Sequence, residues 1–219
     1  QLPIAAEWKE MADYEKMLKH KYSQRYRKIR QDFSSVLVRE LGPDELNQYA
    51  AQMEALYKQV TEKQLVRMGT INRNFFSGMH EALGEQYKVC GFFLEGELIA
   101  FSSALLHEAS YDMNYIGMDY RYNTTHHLYF NLLYHCLEQA IRYQKPCLIL
   151  GRTALEAKAI LGCVPDYRWS YYQIRHPLLR GIFHQVSRLF RHNQGEGWKS
   201  RHPFKSAYYK VGSDSGNSV

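Results

Sequence analysis

Polar residues suited to anion binding stand where a predicted strand gives way to a predicted long helix. Asn123, Thr124 and Thr125 occupy this turn, and their side chains are favourable at the start of a helix. The first turn of a helix presents unpaired N–H groups and a partial positive charge, which favour a phosphate or a carboxylate. The turn therefore predicts an anion site, although the same residues are also explained if they only cap the helix.

A second turn of this kind consists of Gly151, Arg152 and Thr153, between a short apolar strand and a short helix. Glycine lets the backbone approach a ligand closely, arginine binds a phosphate or carboxylate through two parallel hydrogen bonds, and threonine caps the helix. Lys158 follows in that helix and adds a second cation if the helix lines a cleft. The plainer alternative for Lys158 is a solvated ammonium on a stem that lies along the surface.

Other kinds of chemistry lack support in the sequence. It contains no P-loop, no dinucleotide-binding fingerprint and no Ser-His-Asp signature. None of the ten histidines stands at a metal-ligand spacing and the four cysteines form no C-x-x-C pair, so we expect neither a metal site nor a disulfide framework. The cysteines lie mostly in apolar segments, which is typical of buried thiols in a reducing compartment and predicts a cytoplasmic protein. No apolar run approaches the roughly 20 residues that a membrane-spanning helix needs.

The charge of the chain favours a partner that carries phosphate or another anion. The formal net charge is +6, and the basic residues concentrate between Lys16 and Arg30 and again between Arg188 and Lys210. Such surfaces attract nucleotides, cofactors, nucleic acid or anionic carrier proteins. The two basic segments either converge in space or form two separate solvated faces.

The elements that would position these residues follow from hydrophobic periodicity and turn signals. Helices are predicted over 5–33, 45–64, 74–83, 123–143, 154–161 and 178–190, and strands over 34–41, 87–94, 98–106, 110–119, 147–150 and 165–173. The three strands from Tyr87 to Asp119 should form an antiparallel meander. The strand after Pro146 should run parallel to the strand before the long helix. Both turns would then open at the carboxyl edge of the sheet, where α/β sheets bind ligands.

The predicted fold class is α/β, with a mixed sheet of about six or seven strands and helices on both faces. A chain of 219 residues suits one larger domain, which we place over residues 1–211. Within it, residues 1–33 form a basic N-terminal helix, 34–177 the core, and 178–211 a C-terminal helix with a basic extension. The composition of residues 212–219 predicts a disordered tail.

This order of elements resembles the GNAT acyltransferase fold, and in particular its divergent branch related to the FemAB-type aminoacyltransferases of peptidoglycan synthesis. Three segments carry the resemblance. Tyr22–Arg30 resembles the basic K/R-x-R-x-x-R stretch that begins domains of that branch, and Phe92–Ala100 is similar to the G-x-x-I-A hairpin. Tyr129–Pro165 is similar to the "G…K…G" ending of the family and is the best of the three.

The resemblance implies transfer of an acetyl, acyl or aminoacyl group from a thioester or aminoacyl donor to an amine on a small molecule or peptide. Arg152, Thr153 and Lys158 would hold an anionic part of the donor or acceptor. Asp119 or Tyr115, at the end of the meander, would manage the proton of the acceptor. The reaction needs no metal ion.

One stretch departs from the family pattern. Ordinary members carry a Q/R-x-x-G-x-G/A loop whose glycines wrap the pyrophosphate of coenzyme A, whereas Arg121–His126 contains no glycine. The resemblance thus leaves three kinds of donor open: a coenzyme A thioester, an acyl carrier protein and an aminoacyl-tRNA. Two other classes of function also stay open, namely a non-catalytic binding module on a degenerate fold and an RNA-contacting accessory protein.

Overall fold

A mixed sheet of six strands forms the centre of the protein. The structure is a computed structural model that describes residues 1–63, 70–167, 171, 173–176, 179–181, 183, 185, 186 and 198–208. The strands are β1 (Leu2–Pro3), β2 (Leu37–Glu40), β3 (Tyr87–Leu94), β4 (Glu97–Leu106), β5 (Tyr111–Met118) and β6 (Cys147–Ile149). Their order across the sheet is β1-β6-β5-β4-β3-β2. All neighbours are antiparallel except β5 and β6, which run parallel as predicted.

Helices cover both faces of this sheet, which confirms the predicted fold class. They are α1 (Met11–Met17), α2 (His20–Gln31), α3 (Pro43–Gln48), α4 (Ala50–Glu62), α5 (Phe75–Leu83), α6 (Asn123–His126), α7 (Leu128–Arg142) and α8 (Leu155–Leu161). Successive strand residues point to opposite faces, so Phe93 and Phe101 pack against α3, α4 and α5, whereas Phe92 and Ala100 pack against α7. The helices α1 and α2 flank α7 and share its core cluster.

The predicted antiparallel meander is confirmed and turns where the sequence places a hairpin. Leu94 pairs with Glu97, and the two residues between them, Glu95 and Gly96, have φ angles of 51° and 85°. Two successive residues with positive φ are the signature of the tight hairpin turn whose twist matches that of the strands. This turn fixes the register of β3 against β4.

Gly117 sets how closely α4 approaches β5. A Cβ atom at this position would lie 2.2 Å from the Phe101 ring and 2.8 Å from the backbone nitrogen of Tyr57. Both distances are far inside van der Waals contact, so only glycine lets the helix lie directly on the strand.

The predicted helix over 5–33 is interrupted by a contact with the C-terminal part of the chain. Leu18 is extended and forms an isolated antiparallel bridge with Phe204. The backbone N–H of Lys19 donates to Pro203 and that of Lys205 donates to Met17, at 2.7 and 2.8 Å. Because this pairing takes the backbone groups at the bridge, the helix ends at Met17 and restarts at His20.

Two other predicted helices are also divided. The helix over 45–64 begins earlier, at Pro43, and breaks at Tyr49 into α3 and α4. The helix over 123–143 breaks at His127, whose φ angle of 48° ends α6 and sets the new direction of α7. In each case hydrophobic periodicity continues across the break, so it does not reveal the change of axis.

The strand predicted over 165–173 does not form in its described residues, which are 165–167, 171 and 173. β1 takes that place in the sheet, because Leu2 pairs with Leu148 of β6 and the Val164 N–H donates to the carbonyl of Gln1 at 2.8 Å. Residues 179–181, 183, 185 and 186 of the helix predicted over 178–190 are helical. The rest of that helix and the tail over 212–219 lie outside the described residues.

Candidate active site

The parallel strands β5 and β6 are paired over only a short distance. Tyr111 pairs with Leu148 and Asp112 with Ile149, and β6 then ends while β5 continues to Met118. A strand rises about 3.3 Å per residue, so Met118 lies roughly 20 Å along β5 from Asp112. The sheet is therefore open between the second half of β5 and the chain that follows β6, at the carboxyl ends of both strands.

A bulge interrupts β5 inside this opening. The register against β4 shifts between Ser102, opposite Ile116, and Ala104, opposite Met113. The Ser103 hydroxyl spans the irregularity, because it accepts from the Tyr115 N–H at 3.1 Å and donates to the Tyr115 carbonyl at 3.3 Å. Bulges redirect backbone groups and side chains and are enriched beside active sites. No pattern in the sequence distinguishes Ser103, because it is one of two adjacent buried serines in an apolar strand.

The turn after β6 and the helix α8 are joined by Lys158. Gly151 has a φ angle of 69°, and the following Ala154 has one of 51°, so the chain doubles back before α8 begins. The Lys158 ammonium donates to the Gly151 carbonyl at 3.2 Å. The structure thus brings together Gly151 and Lys158, and it places Arg152 and Thr153 on the exposed surface of the same turn.

Lys158 is a buried cation and not the solvated side chain that the plainer alternative expects. Only 3% of the residue is exposed, and no carboxylate of the described residues lies within ion-pairing distance of its Nζ. Burial lowers the pKa of Lys158 to about 8. The nearby Cys163 thiol is buried as well, which raises its pKa to about 11. A lysine poised between its two protonation states is a frequent feature of catalytic sites.

The turn before α7 is occupied mainly by its own side chains. The Asn123 Oδ1 accepts from the Tyr129 N–H at 3.0 Å, so Asn123 caps the first turn of α7. Thr125 donates to the Tyr122 carbonyl at 3.4 Å, and Thr124 is exposed. The helix α6 fills the stretch where a glycine loop would leave backbone N–H groups accessible. This turn follows the far end of β5, so it is staggered from the Gly151 turn along the sheet.

Asp119 forms an ion pair with Arg121, which the sequence analysis did not identify. The Asp119 carboxylate accepts from the Arg121 backbone N–H at 2.9 Å and from its guanidinium at 2.9 and 3.1 Å. The guanidinium beside it lowers the pKa of Asp119. An aspartate followed two residues later by an arginine after a strand is the signal for such a capping pair.

The Tyr115 side chain packs on the face of the sheet that the helices α4 and α5 cover. Its ring makes edge-to-face contacts with Tyr57, Phe75 and Phe76 at centroid distances of 5.7, 5.0 and 6.3 Å. Four residues of extended chain separate Tyr115 from Asp119, which corresponds to about 13 Å. Tyr115 and Asp119, which the sequence predicts as alternatives for proton transfer, therefore lie at different positions along the direction of β5.

Neither a metal centre nor a membrane span is found in the part of the chain that the structure describes. There, no group of three histidine, cysteine, aspartate or glutamate side chains is placed to hold a metal ion. No helix within the described ranges has the length and apolar character needed to cross a lipid bilayer.

The comparisons with known proteins concern both sequence and fold. The family model of the acetyltransferase (GNAT) domain matches residues 18–158, well over half of the chain. The integron cassette protein VCH_CASS6 from the mobile metagenome of V. cholerae is similar in structure, with 12% identity and a TM-score of 0.50 over 68% of this chain and 98% of that one. Glucosamine-6-phosphate N-acetyltransferase from Arabidopsis thaliana has 14% identity and a TM-score of 0.48 over 63% of this chain and 97% of that one. No curated protein sequence matches the chain.

Proposed function

The chain belongs to the GNAT acetyltransferase family, and on that premise we propose that it catalyses N-acyl transfer from an anionic, activated donor to an amine. The observation that carries the proposal is Lys158, a buried ammonium that holds the turn at the open end of β6. Leaving a cation unpaired in the interior destabilises a protein, so such a group calls for a functional explanation.

Lys158 would stabilise negative charge during the reaction. In a site shielded from water its ammonium acts more strongly on a nearby anion than a surface lysine does. Arg152 and Thr153 lie on the outer side of the same turn and would hold the anionic part of the donor, as their residue types suggest. The residues that the sequence predicts to bind the cofactor therefore form two separate groups. One group is Gly151, Arg152, Thr153 and Lys158, and the other is the turn that contains Asn123.

The proposed reaction follows the usual course of acyl transfer. The lone pair of the amine attacks the carbonyl carbon, and the carbonyl oxygen becomes an oxyanion that backbone N–H groups and the Lys158 ammonium would stabilise. The oxyanion then collapses and the bond to the donor thiol or hydroxyl breaks. The nitrogen passes its proton to solvent water, and the departing thiolate or alkoxide takes a proton from the Tyr115 hydroxyl, which water then restores. Holding both reactants in the opening between β5 and β6 supplies much of the rate by positioning them.

The sequence predicts Asp119 or Tyr115 as the residue that manages the proton of the acceptor, but the contacts of each residue favour a different role. Because Arg121 lowers its pKa, the Asp119 carboxylate is a weak base at neutral pH. Asp119 is thus better suited to attract a cationic amine toward the site. The Tyr115 hydroxyl is the better candidate to return a proton to the departing group of the donor.

We propose a donor other than free coenzyme A, in keeping with the FemAB-like branch. Asn123 already takes an N–H of the first turn of α7, and α6 stands in place of a glycine loop, so little backbone remains to wrap a pyrophosphate. An acyl carrier protein or aminoacyl-tRNA would instead bind to the exposed lysines and arginines of α2. The four free thiols are consistent with a cytoplasmic setting for either donor.

Turnover of three donors by the purified chain tests the proposal. Acetyl-coenzyme A, an acyl carrier protein thioester and an aminoacyl-tRNA would each be supplied with a panel of amines, and the amide product measured by mass spectrometry. We expect turnover with at least one donor, and we expect Lys158→Met to lower kcat/KM by about 100-fold, the scale of a lost oxyanion-stabilising group. Lys58→Met is the matched control, because Lys58 is 74% exposed on α4.

A non-catalytic binding module is the second candidate, favoured by the Asn123 cap on α7. Under that alternative a donor raises the melting temperature of the chain while no amide forms with any amine. Amide formation that is lost in Lys158→Met and kept in Lys58→Met excludes the module and supports the enzyme.

A further inference from the structure

A cavity of about 370 Å³ lies on the α7 face of the sheet, between the end of α2, the edge strand β2 and α7. Phe33, Val36 and Val38 form its apolar side. His135 and Glu138 face it from α7 at a helical spacing that places both on one side of the helix. A volume of this size is at the lower end of those that bind small molecules.

Opposite charges stand side by side at this cavity. The Arg30 Nη1 donates to the Asn131 Oδ1 at 3.2 Å, and its guanidinium carbon lies 5.8 Å from the centre of the Phe33 ring. The Arg30 Nη2 is 3.8 Å from the Glu138 Oε2, which is longer than a hydrogen bond. Asn131 and Phe33 therefore hold the Arg30 guanidinium in place. Because the contact between Arg30 and Glu138 is longer than a hydrogen bond, the Arg30 N–H groups and the Glu138 carboxylate oxygens remain able to bind a ligand.

His135 adds a buried polar group with no partner. The residue is 8% exposed, and its Nε2 atom makes no hydrogen bond within the described part of the chain. Burial, with the charge of Arg30 as a smaller cause, lowers the pKa of His135 to about 4, so the imidazole is neutral at pH 7. Buried polar atoms are nearly always hydrogen-bonded, so an unpartnered one beside a cavity indicates a missing ligand group.

The cavity is separate from the candidate active site. β2 is three strands away from β5 in the sheet, which corresponds to about 14 Å. Neither Lys158 nor any residue of the Gly151 turn lines the cavity. The acceptor amine of the proposed reaction would therefore not bind here.

We propose that this cavity is a binding site for an α-amino acid with an apolar side chain. The carboxylate of the ligand would pair with Arg30 and its ammonium with Glu138, which matches a site whose two charges cancel. A simple anion would meet the Glu138 carboxylate, and a simple cation would meet the Arg30 guanidinium. The aliphatic side chain would lie against Phe33, Val36 and Val38.

Titration calorimetry with L-leucine as the probe tests this site. Two analogues separate the charges: 4-methylpentanoate lacks the ammonium, and 3-methylbutylamine lacks the carboxylate. We expect leucine to bind and each analogue to bind at least about tenfold more weakly, since each leaves one charged group without its partner. No heat of binding for leucine at millimolar concentration would overturn the proposal.

Four variants locate the binding. Glu138→Gln should weaken leucine about tenfold and leave 4-methylpentanoate no weaker than in the wild type, while Arg30→Gln should weaken both. Arg25→Gln is the matched control on α2, because its guanidinium lies over Phe130 and outside the cavity lining.

Lys158→Met should bind leucine as the wild type does. A loss of leucine binding in this variant would place the ligand in the acyl-transfer site and refute a separate site. Equal leucine affinity in Glu138→Gln and wild type would also refute it.

Discussion

Burial of the Lys158 ammonium destabilises the fold, and we propose that the same buried charge serves the reaction. Within the described part of the chain the Lys158 Nζ makes one hydrogen bond, to the Gly151 carbonyl, and burial lowers its pKa to about 8 from the ordinary 10.5. The interior thus penalises the charged form by about 3 kcal/mol at neutral pH. A residue that only supported the fold would be better as an apolar side chain of the same length, which supports the proposed functional role of Lys158.

The first prediction concerns the pH dependence of stability. In the unfolded chain Lys158 keeps its proton up to about pH 10.5, whereas in the folded chain it releases it near pH 8. The unfolded state therefore binds more protons between these values, and the contribution of Lys158 to the free energy of unfolding rises with pH across this window. We expect a rise of about 3 kcal/mol from this group, measured by urea unfolding of the wild type relative to Lys158→Met.

The same comparison gives a second readout at low pH. Lys158→Met should be more stable than the wild type at pH 6 by about 2 kcal/mol, the cost of the buried charge less that of one lost hydrogen bond. Other groups that titrate, including the buried tyrosines, are common to both proteins and cancel. A wild type that is the more stable protein at pH 6, with no change in the difference up to pH 10, would show that Lys158 is an ordinary structural lysine.

Only part of the site could be predicted from single residues. The types and spacing of Gly151, Arg152 and Lys158 indicated a turn with cations, and the turn exists. The burial of Lys158 could not be predicted, because it depends on how α8 packs against segments that are remote in sequence. Tyr14 in α1, for example, donates its hydroxyl to the Leu161 carbonyl at 3.0 Å. The Arg121 contact with Asp119 was missed because it depends on the conformation of the turn.

At the scale of elements, the bridge between Leu18 and Phe204 explains several features at once. It divides α1 from α2, and it brings the Phe204 ring into the core cluster, where its centroid is 5.8 Å from that of Tyr14 and 4.0 Å from that of Tyr208. The ring also covers Gly162, where a Cβ atom would lie 2.3 Å from it. The segment around Phe204 thus closes the core beside α8, although it follows the part of the chain that matches the family.

Truncation of this ring gives the second prediction. Phe204→Ala should lower the free energy of unfolding by about 3–5 kcal/mol, because a fully buried ring is removed and a cavity remains. Leu37→Ala, at a leucine that is 61% exposed in β2, should change it by less than about 0.5 kcal/mol. Denaturant unfolding measures both.

A double-mutant cycle with Gly162 shows whether the contact itself is responsible. Gly162 has a φ angle of 106°, so Gly162→Ala carries a backbone cost in any background in addition to the clash with Phe204. We expect Gly162→Ala to cost clearly less in the Phe204→Ala protein than in the wild type. Strict additivity of the two changes would mean that the ring does not pack on Gly162.

Most of the element order was predictable, whereas β1 and the element boundaries were not, for a physical reason that these contacts illustrate. The meander, the long helix and the parallel strand β6 follow from periodicity and turn residues, which are local properties. The break at Leu18 and the replacement of the 165–173 strand by Leu2–Pro3 arise from pairing between segments far apart in the chain. A sequence pattern of one segment carries no information about the partner that will take its backbone hydrogen bonds.

At the scale of the whole molecule, the described part of the C-terminal basic segment, residues 198–208, lies against the N-terminal one. The bridge at Leu18 places Lys16 and Lys19 beside Lys205, whose ammonium donates to the Lys16 carbonyl at 2.6 Å. The exposed lysines and arginines of α2 continue the surface from there. The single domain over 1–211 stays a prediction. We propose that a macromolecular donor would bind to this basic surface.

The last prediction tests this surface by its salt dependence. Reversing two exposed charges at the start of α2, in Lys19→Glu combined with Lys21→Glu, removes two cations and adds two anions where a tRNA or an acyl carrier protein would dock. Each phosphate contact that is lost lowers the slope of log K against log salt by about one. We therefore expect weaker binding of the macromolecular donor and a shallower slope, with unchanged melting temperature. Lys58→Glu combined with Arg73→Glu, at two exposed cations on the side of the sheet that α4 and α5 cover, is the control for net charge. If the α2 variant binds the donor with wild-type affinity and slope, the donor does not use this surface, and a small thioester held by the Gly151 turn alone becomes the better proposal.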